Sequence, residues 1–367
     1  MQTNKNLVIL KKTIIYTLIS AIIFSLNITD IQAQDGNFSQ FFNNPLYYNP
    51  AFVGLNKGLK ARLHYRNQWY DLPGDFSNYN FSLDIADRDI PGAGGLGFMV
   101  NSTSEGVGYF QNTTVGFMPS VRIPLAENFI MQVGAMASFV QRQINWGNLV
   151  FSDELNGMHG NIGQSTFIPP NDDKMIYPDF SFGGLFQVSG EGVTGVFGGA
   201  AHHLTRPSQS FFDWGSPLER RYVVHGDIIF DIGQKTGYFV RKKGFKLNPG
   251  IIWQYQAKMN LYSVGMNFYF TSMYFGLWYR NESLEYDTHS DFVLLAGVYI
   301  PFGDIARLKL MYSYDMAVTA GQTYTGPSNE ISLIFEFDDI KLTSSKKKYR
   351  SIRGRKIIEE TLECTPF

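Results

Sequence analysis

The sequence predicts an all-β fold, a transmembrane antiparallel β-barrel of about 14 strands with both termini in the periplasm. Three observations lead to this prediction. The chain begins with an export signal, its composition is rich in aromatic residues and glycine, and its hydrophobic residues recur at every second position. The first two observations indicate a protein of the cell envelope, and the third indicates strands that cross a membrane.

The N-terminus has the features of a secretory signal peptide. Lysines near the start supply positive charge, and residues 13–28 are mostly apolar. Ala33 follows as a small residue, so we expect cleavage next to it and assign residues 1–33 to the signal peptide. The alternative is a retained helix, but the apolar run is short for the roughly 20 residues of a membrane-spanning helix.

The composition is unusual for a soluble protein. The 367 residues include 31 Phe, 21 Tyr and 36 Gly, whereas only 17% are charged and the mean hydropathy is −0.13. A membrane barrel explains this combination because only every second residue of a strand must face lipid. The single cysteine, Cys364, excludes an internal disulfide, and the net charge of −1 gives no sign of a nucleic-acid partner.

Alternation with a period of two defines the strands. On the first strand Leu59, Ala61 and Leu63 alternate with Lys60 and Arg62. The candidate strands are 58–69, 77–87, 94–104, 108–124, 129–145, 178–189, 193–203, 220–232, 244–256, 259–269, 273–281, 291–300, 306–316 and 330–337. Together they predict a barrel over residues 58–337, with an even number of strands as in bacterial barrels.

The lengths of the connections agree with this arrangement. With a periplasmic N-terminus, the long connections 146–177, 204–219, 282–290 and 317–329 all fall on the exterior side, where barrel loops are longer. The basic connection 233–243 is the exception on the periplasmic side. A soluble β-sandwich would also alternate, but long strands and aromatic girdles favour a membrane barrel. The candidate girdle residues are Trp69, Tyr70, Tyr274, Trp278, Tyr279, Tyr312 and Tyr314.

Two segments lie outside the alternation. Residues 34–57 contain Asn44-Pro45 and Asn49-Pro50, and each proline restricts its own backbone and that of the preceding residue. We expect a periplasmic lead-in or a piece placed in the lumen. Residues 338–367 form a basic tail, either solvated and disordered or in contact with a periplasmic partner. The candidate contacts of the tail are Lys346, Lys347, Lys348, Arg350, Arg353 and Arg355.

The polar faces of the strands predict a charged lumen. The candidate lumen-facing residues are Lys60, Arg62, His64, Arg66, Asp84, Asp227, Lys309, Asp315, Glu330 and Glu336. The last strand adjoins the first when a barrel closes, so Glu330 and Glu336 could neutralise the positive face of the first strand. Buried charges need partners, which favours a structural ion-pair network. The alternative is a positive track that binds a plug or a secreted terminus.

No residue pattern predicts an enzyme or a bound cofactor. His202 and His203 invite a metal assignment, but no further ligand stands at metal-binding spacing beside them. His225 and Asp227 share one lumen face and would suit a protease. That hypothesis lacks a third partner in the sequence.

Several blocks of sequence go beyond alternation. They are Phe38-Ser39-Gln40-Phe41, residues 44–54, Tyr65-Arg66-Asn67-Gln68-Trp69, Gly94-Gly95-Leu96-Gly97, residues 201–207, Tyr312-Ser313-Tyr314-Asp315 and residues 328–333. In this order they resemble the PorP/SprF family, outer-membrane components of the type IX secretion and gliding apparatus. Tyr70 stands where the family usually has Pro, and Asn329 where it usually has His.

The resemblance implies a non-enzymatic barrel that works with the secretion machinery. The implied partners are a secreted adhesin or other cargo and, in some members, a periplasmic peptidoglycan-associated protein. We expect the exterior loops to meet the cargo, since exposed aromatics are favoured interface anchors. The candidate contacts are Phe151, Phe167, Phe211, Phe212 and Trp214. The alternatives are a transporter of small hydrophobic molecules, with an apolar lumen pocket, and a diffusion porin with an open lumen.

Overall fold

The computed structural model describes residues 35–337 with gaps at 70, 73, 87–92, 107–109, 157–159, 162, 164, 171–172, 213–214, 233–244, 271, 283–289, 303–305 and 319–325. The predicted signal peptide, the basic tail with its six candidate contacts, and Trp214 lie outside the described residues. Among the described residues, no helix is long and apolar enough to cross a membrane.

Fourteen long strands of the described chain form one closed antiparallel barrel. The strands are β1 (Gly58–Asn67), β2 (Asp75–Ala86), β3 (Ala93–Gly106), β4 (Phe110–Ala126), β5 (Phe129–Gln143), β8 (Lys174–Gly190), β9 (Val193–His202), β10 (Arg221–Ile232), β11 (Phe245–Gln256), β12 (Met259–Phe270), β13 (Met273–Glu282), β14 (Ser290–Phe302), β15 (Ala306–Ala317) and β16 (Ser328–Phe337). The two-residue strands β6 (Leu155–Asn156) and β7 (Gly160–Asn161) pair with each other in the loop after β5.

Each barrel strand pairs with its neighbours in the chain, and β1 pairs with β16 to close the barrel. The predicted fourteen-stranded barrel is therefore confirmed. Strand β8 differs most from its prediction, because it begins at Lys174 and Pro178 lies within it. Met175 pairs with Arg142 of β5 ahead of that proline, and this pairing extends the strand.

The two faces of the strands have opposite character. On β1 buried residues alternate with half-buried or exposed ones, and the buried set contains Lys60, Arg62, His64 and Arg66. The outward face is apolar around the barrel, with exposed Leu63, Phe98, Phe117, Phe180, Phe197, Val224, Ile251, Val264, Leu277, Leu294, Leu310 and Ile331. Such an outward apolar band is the arrangement of a barrel that faces lipid.

Strand β13 places two of the expected girdle aromatics inside the barrel instead. Tyr274 and Trp278 are buried, and the Trp278 ring lies 4.7 Å from that of Phe41 and 5.7 Å from that of Phe42. Both faces of this strand are apolar, so alternation alone does not distinguish them. The signal that could have done so is Arg280, which shares the face of Trp278 and is also buried.

The residues ahead of β1 fill the interior of the barrel. Helix α1 (Pro45–Tyr48) is a single turn, and a 3-10 turn follows at Pro50–Phe52. Asn49 between them is extended, and its side-chain oxygen accepts a hydrogen bond from the Ala51 N–H. Buried apolar residues of this segment are Phe38, Phe41, Phe42, Leu46, Tyr47, Tyr48, Ala51, Phe52, Val53 and Leu55. We call residues 35–57 the plug.

Candidate functional site

The candidate site is the interface between the plug and the barrel wall, together with the loops at one end of the barrel. We call the end with the connections 144–173 and 203–220 the loop end. The opposite end, where β1 begins and β16 ends, is the tail end. At the tail end Leu59 pairs with Phe337, and at the loop end Asn67 pairs with Asn329.

Ion pairs cross the seam between the first and last strands. Glu336 of β16 forms ion pairs with Lys60 (3.1 Å) and with Lys309 of β15 (2.8 Å). Arg62 pairs with Asp84 of β2. These four partners and Glu336 are nearly fully buried, so each charge is compensated where water is scarce.

A second group of charges lies nearer the loop end. Arg66 is 2.7 Å from Asp315 and 3.8 Å from Glu330. Arg280 of β13 reaches the same Asp315 oxygen at 3.3 Å. His64 Nδ1 lies 3.5 Å from the other Glu330 oxygen. We call Arg66, Arg280, Asp315 and Glu330 the charge cluster.

The plug completes this cluster through Ser39. The Ser39 N–H donates to Glu330 (2.6 Å), and its hydroxyl contacts Asp315 and both arginines. Gln40 continues the contact by donating to the Glu330 carbonyl (3.1 Å) and accepting from Ser332 (2.6 Å). The polar residues on this side of the plug therefore match the polar face of β1, β15 and β16.

At the loop end the first described residue is held by an ionic clasp. Asp35 contacts His203 Nε2 at 2.7 Å and Arg221 at 3.3 Å, while His203 Nδ1 contacts Asp179 at 2.7 Å. We call these four residues the clasp. Since both imidazole nitrogens face carboxylates, both must donate and the ring is an imidazolium.

The electrostatics of the clasp agree with this protonation. Burial alone would lower the pKa of His203, but Asp35 and Asp179 outweigh it and raise that pKa to about 9. Burial would raise the pKa of Asp35, whereas His203 and Arg221 hold it well below its ordinary value. Both groups are therefore charged around neutral pH.

The inner part of the plug is held by backbone contacts and by glycines of the wall. Asn49 donates to the carbonyls of Gly184 (3.1 Å) and Gly199 (3.2 Å). The Val53 carbonyl accepts from Ser120 (2.7 Å) and Gln132 (2.6 Å). A Cβ atom on Gly134 or Gly183 would collide with the plug backbone or with Asn49, so these sites require glycine.

His225 and Asp227 have separate partners in the wall and plug. His225 Nε2 lies 3.0 Å from the Asn49 amide, and Asp227 accepts from Asn248 at 2.8 Å. His202 contacts Ser181 (3.1 Å) and the Tyr48 carbonyl (3.0 Å). His225, Asp227 and His202 thus make polar contacts within the lumen and with the plug.

The aromatic residues of the two long loops pack on one another. Trp146 lies 5.7 Å from Phe167 and 6.1 Å from both Phe211 and Phe212, and Phe151 lies 4.7 Å from Phe167. The two connections therefore meet in one aromatic cluster. Its edge is open to solvent, because Phe212 is 41% exposed and the neighbouring loop residue Ile168 is 87% exposed.

Sequence reasoning did not find the residues that join the plug to the wall. Ser39, Asp35, Asp179, Arg221 and Arg280 were not among the candidates, although each makes a buried or half-buried polar contact. The available signals were weak. Arg221 and Arg280 stand on polar faces of their strands, but nothing local indicates that their partners lie in the plug.

Comparison with solved structures returns other barrels at low identity. A Pseudomonas aeruginosa FadL homologue is 11% identical, with a TM-score of 0.42 over 79% of this chain and 92% of that chain. The CymD monoaromatic hydrocarbon channel is 11% identical, with a TM-score of 0.37 over 84% and 94%. An anion-selective porin from Comamonas acidovorans is 8% identical, with a TM-score of 0.34 over 76% and 98%. Among curated proteins, none matches the sequence.

A protein-family model matches most of the sequence. The model of the type IX secretion system membrane protein PorP/SprF matches residues 31–335, which include the plug and nearly all of the barrel. The chain belongs to the PorP/SprF family. This membership and the closed barrel fit an outer-membrane location.

The blocks that carry the PorP/SprF resemblance meet at the plug. Ser39, Arg66, Asp315 and Glu330 come from four different blocks and form one set of contacts. Gly95 of a fifth block lies against Gly54 of the plug, where a Cβ atom on Gly95 would be 2.8 Å from the Gly54 Cα. The resemblance is therefore concentrated in the plug and in the wall residues that receive it.

Proposed function

We propose that this protein is a non-enzymatic outer-membrane component of the type IX secretion and gliding machinery that binds a secreted adhesin or other cargo at its loop end. The loop end faces the exterior in this proposal, and the basic tail contacts periplasmic machinery. The family match supports the association with secretion. The observation that carries the binding role is the solvent-open aromatic cluster shared by the two long loops.

The aromatic cluster has the character of a protein-binding surface. Its inner rings pack on one another, which holds the two loops together without a partner. Its outer residues remain exposed, including Ile168 and Phe212. A partner can bury an exposed apolar patch at a smaller entropic cost when the loops that carry it already pack on each other. We therefore assign the cargo contact to this patch, with Phe151, Phe167 and Phe211 as its support.

The filled interior supports a binding role over a porin. The plug lies in the described lumen, and its residues Ser39 and Gln40 are hydrogen-bonded to Glu330 of the charge cluster. A transporter of small hydrophobic molecules needs an apolar lumen pocket, whereas the lumen around β1, β15 and β16 is charged. Transport through the barrel is the alternative and would require displacement of the plug.

A mild-detergent pull-down from native outer membranes tests the proposal. We expect the tagged protein to recover secretion-machinery subunits or one large surface protein, identified by mass spectrometry. The double variant Ile168→Ser/Phe212→Ser should reduce recovery of the surface protein at least roughly tenfold, since each buried apolar side chain contributes on the order of 1.5–3 kcal/mol.

Lys174→Ser is the matched control for the loop variant. Lys174 is also exposed at the loop end but lies outside the aromatic cluster, so recovery should be unchanged. All three proteins should show the same shift in migration between unheated and heated gel samples, which reports a folded barrel. Equal recovery by the double variant and the control would refute the loop assignment, and recovery of the barrel alone would favour the transporter.

A further inference from the structure

The two described ends of the chain lie at opposite ends of the barrel. The Asp35 N–H donates to Gln256, the last residue of β11, at 3.0 Å. Gln256 pairs with Met259 at the turn into β12, which belongs to the loop end. Phe337, the last described residue, pairs with Leu59 at the tail end.

The plug runs through the lumen between these ends. Ser39 contacts Asp315, which pairs with Ser328 at the loop end of β16. Farther along, Asn49 reaches the middle of β8 at Gly184. Gly54 donates to Asp84 near the tail end, and β1 begins there at Gly58. The chain therefore passes through its own barrel before it forms the first strand.

The start of the plug is tied to the loops. His203 is the first residue after β9, and it holds Asp35 and Asp179 together. The same connection continues to Phe211 and Phe212 in the aromatic cluster. A partner seated on that cluster thus lies on the connection that also clasps the plug.

The expected cleavage site leaves almost no chain beyond Asp35. Cleavage after Ala33 leaves Gln34 as the first residue, and one extended residue spans at most about 3.6 Å. A ten-residue strand such as β1 is about 33 Å long. Cleavage at that site would leave too little chain to return through the barrel over that distance.

We propose that the start of the plug at Asp35 is displayed on the cell surface beside His203, as part of the loop-end surface that meets the partner. The sidedness rests on the proposed function, which places the loop end outside, and the nearness of the mature amino terminus to Asp35 rests on the expected cleavage next to Ala33. The passage through the barrel rests only on the contacts above. This inference replaces the expectation that both termini are periplasmic, since only the carboxyl-terminal side keeps that location.

Cysteine labelling of cells tests on which side of the outer membrane each end of the chain lies. Cys364 reports the carboxyl-terminal side in the unaltered chain, because it is the only cysteine. A Gly-Ser-Cys insertion between Gln34 and Asp35, in a Cys364→Ser background, reports the amino-terminal side. The reagent is a large polyethylene-glycol maleimide that does not cross the outer membrane, applied to intact cells and to cells with a permeabilised outer membrane. Heat-dependent gel migration confirms that both proteins are folded.

We expect the inserted cysteine to be labelled in intact cells and Cys364 only after permeabilisation. Labelling of both cysteines only after permeabilisation would overturn the inference, while leaving cargo binding by the loops intact. Labelling of Cys364 alone in intact cells would keep the passage through the barrel but overturn the surface display and the orientation in the proposed function. Failure of the pull-down alone, with the expected labelling, would overturn only the cargo assignment.

Discussion

Ser39 lies between two arginines and two carboxylates inside the barrel. Its N–H donates to Glu330 at 2.6 Å, and its hydroxyl shares Asp315 with Arg66 and Arg280. Breaking a buried ion pair by removing one partner is strongly destabilising, because the remaining charge stays desolvated. At the scale of the residue, Ser39 therefore attaches the plug to charged side chains of the wall, which are themselves paired with one another.

The clasp makes attachment of the plug depend on pH. His203 has a raised pKa of about 9 against an ordinary value of 6.5, so its contribution to stability is full below about pH 6.5 and is lost as the pH rises through about 9. Asp35 has a lowered pKa, so its contribution is lost as acid protonates it. The clasp is strongest in the mildly acidic to neutral range.

We predict that His203→Gln lowers thermal stability at pH 6 and that its difference from the unaltered protein shrinks steadily between pH 7 and pH 10. The measurement is the temperature at which the folded gel band disappears, in detergent, across this pH series. Lys174→Gln serves as the control because Lys174 is exposed at the same end. A stability difference that stays constant up to pH 10 would contradict the assignment of an imidazolium at His203.

At the scale of the element, the plug and the wall are complementary in shape. The inner plug passes so close to the strands that Gly134 of β5 and Gly183 of β8 leave no space for a Cβ atom. The Val53 carbonyl is also bonded to two wall residues, Ser120 and Gln132. Tight packing of this kind does not deform gradually, so a small addition to the wall must move the plug.

We predict that Gly134→Ala and Gly183→Ala each lower stability by about 1–3 kcal/mol, the usual cost of an overpacked interior. Gly226→Ala is the matched control, since a Cβ atom on Gly226 would have its nearest neighbours at 3.7 and 3.8 Å. The measurement is the loss of the folded band with temperature. If all three variants behave alike, the inner plug is not in contact with these glycines.

At the scale of the whole molecule, the described barrel contains the plug in its interior and has an apolar outer face. The plug bonds to strands on opposite sides of the barrel, among them β1 through Asn43, β8 and β9 through Asn49, and β16 through Gln40. Lys60 and Glu336 inside the barrel are paired with each other, Arg66 is paired with Asp315, and Glu330 accepts a hydrogen bond from the plug. The plug therefore connects strands from several sides of the described barrel.

We predict that the purified protein passes no steady current in planar lipid bilayers, because the plug occupies the lumen. Removal of residues 36–55 should produce discrete conductance steps, provided that heat-dependent gel migration shows a folded barrel. Open-channel steps of similar size in the unaltered protein would contradict the closed lumen and would favour the porin or transporter alternative.

Alternation predicted the strands well because it is a local property. The bounds of thirteen barrel strands agree within two residues at each end, and the positive face of β1 meets Glu330 and Glu336 on β16. Where β1 and β16 pair to close the barrel, Lys60 lies opposite Glu336 and Arg66 lies opposite Glu330. A face that is charged in sequence can point only to the lumen when the other face is apolar.

By itself, the sequence determined the number of strands, the charged lumen and the family, because each depends on patterns within short segments of the chain. Only the tertiary structure decided that Trp278 faces the interior, where the plug supplies Phe41 and Phe42 as partners. It also decided that the plug begins at the loop end, where Asp35 contacts His203. The contact between Ser39 and Asp315 joins residues 276 positions apart, and such partners come together only when the barrel closes around the segment that precedes it.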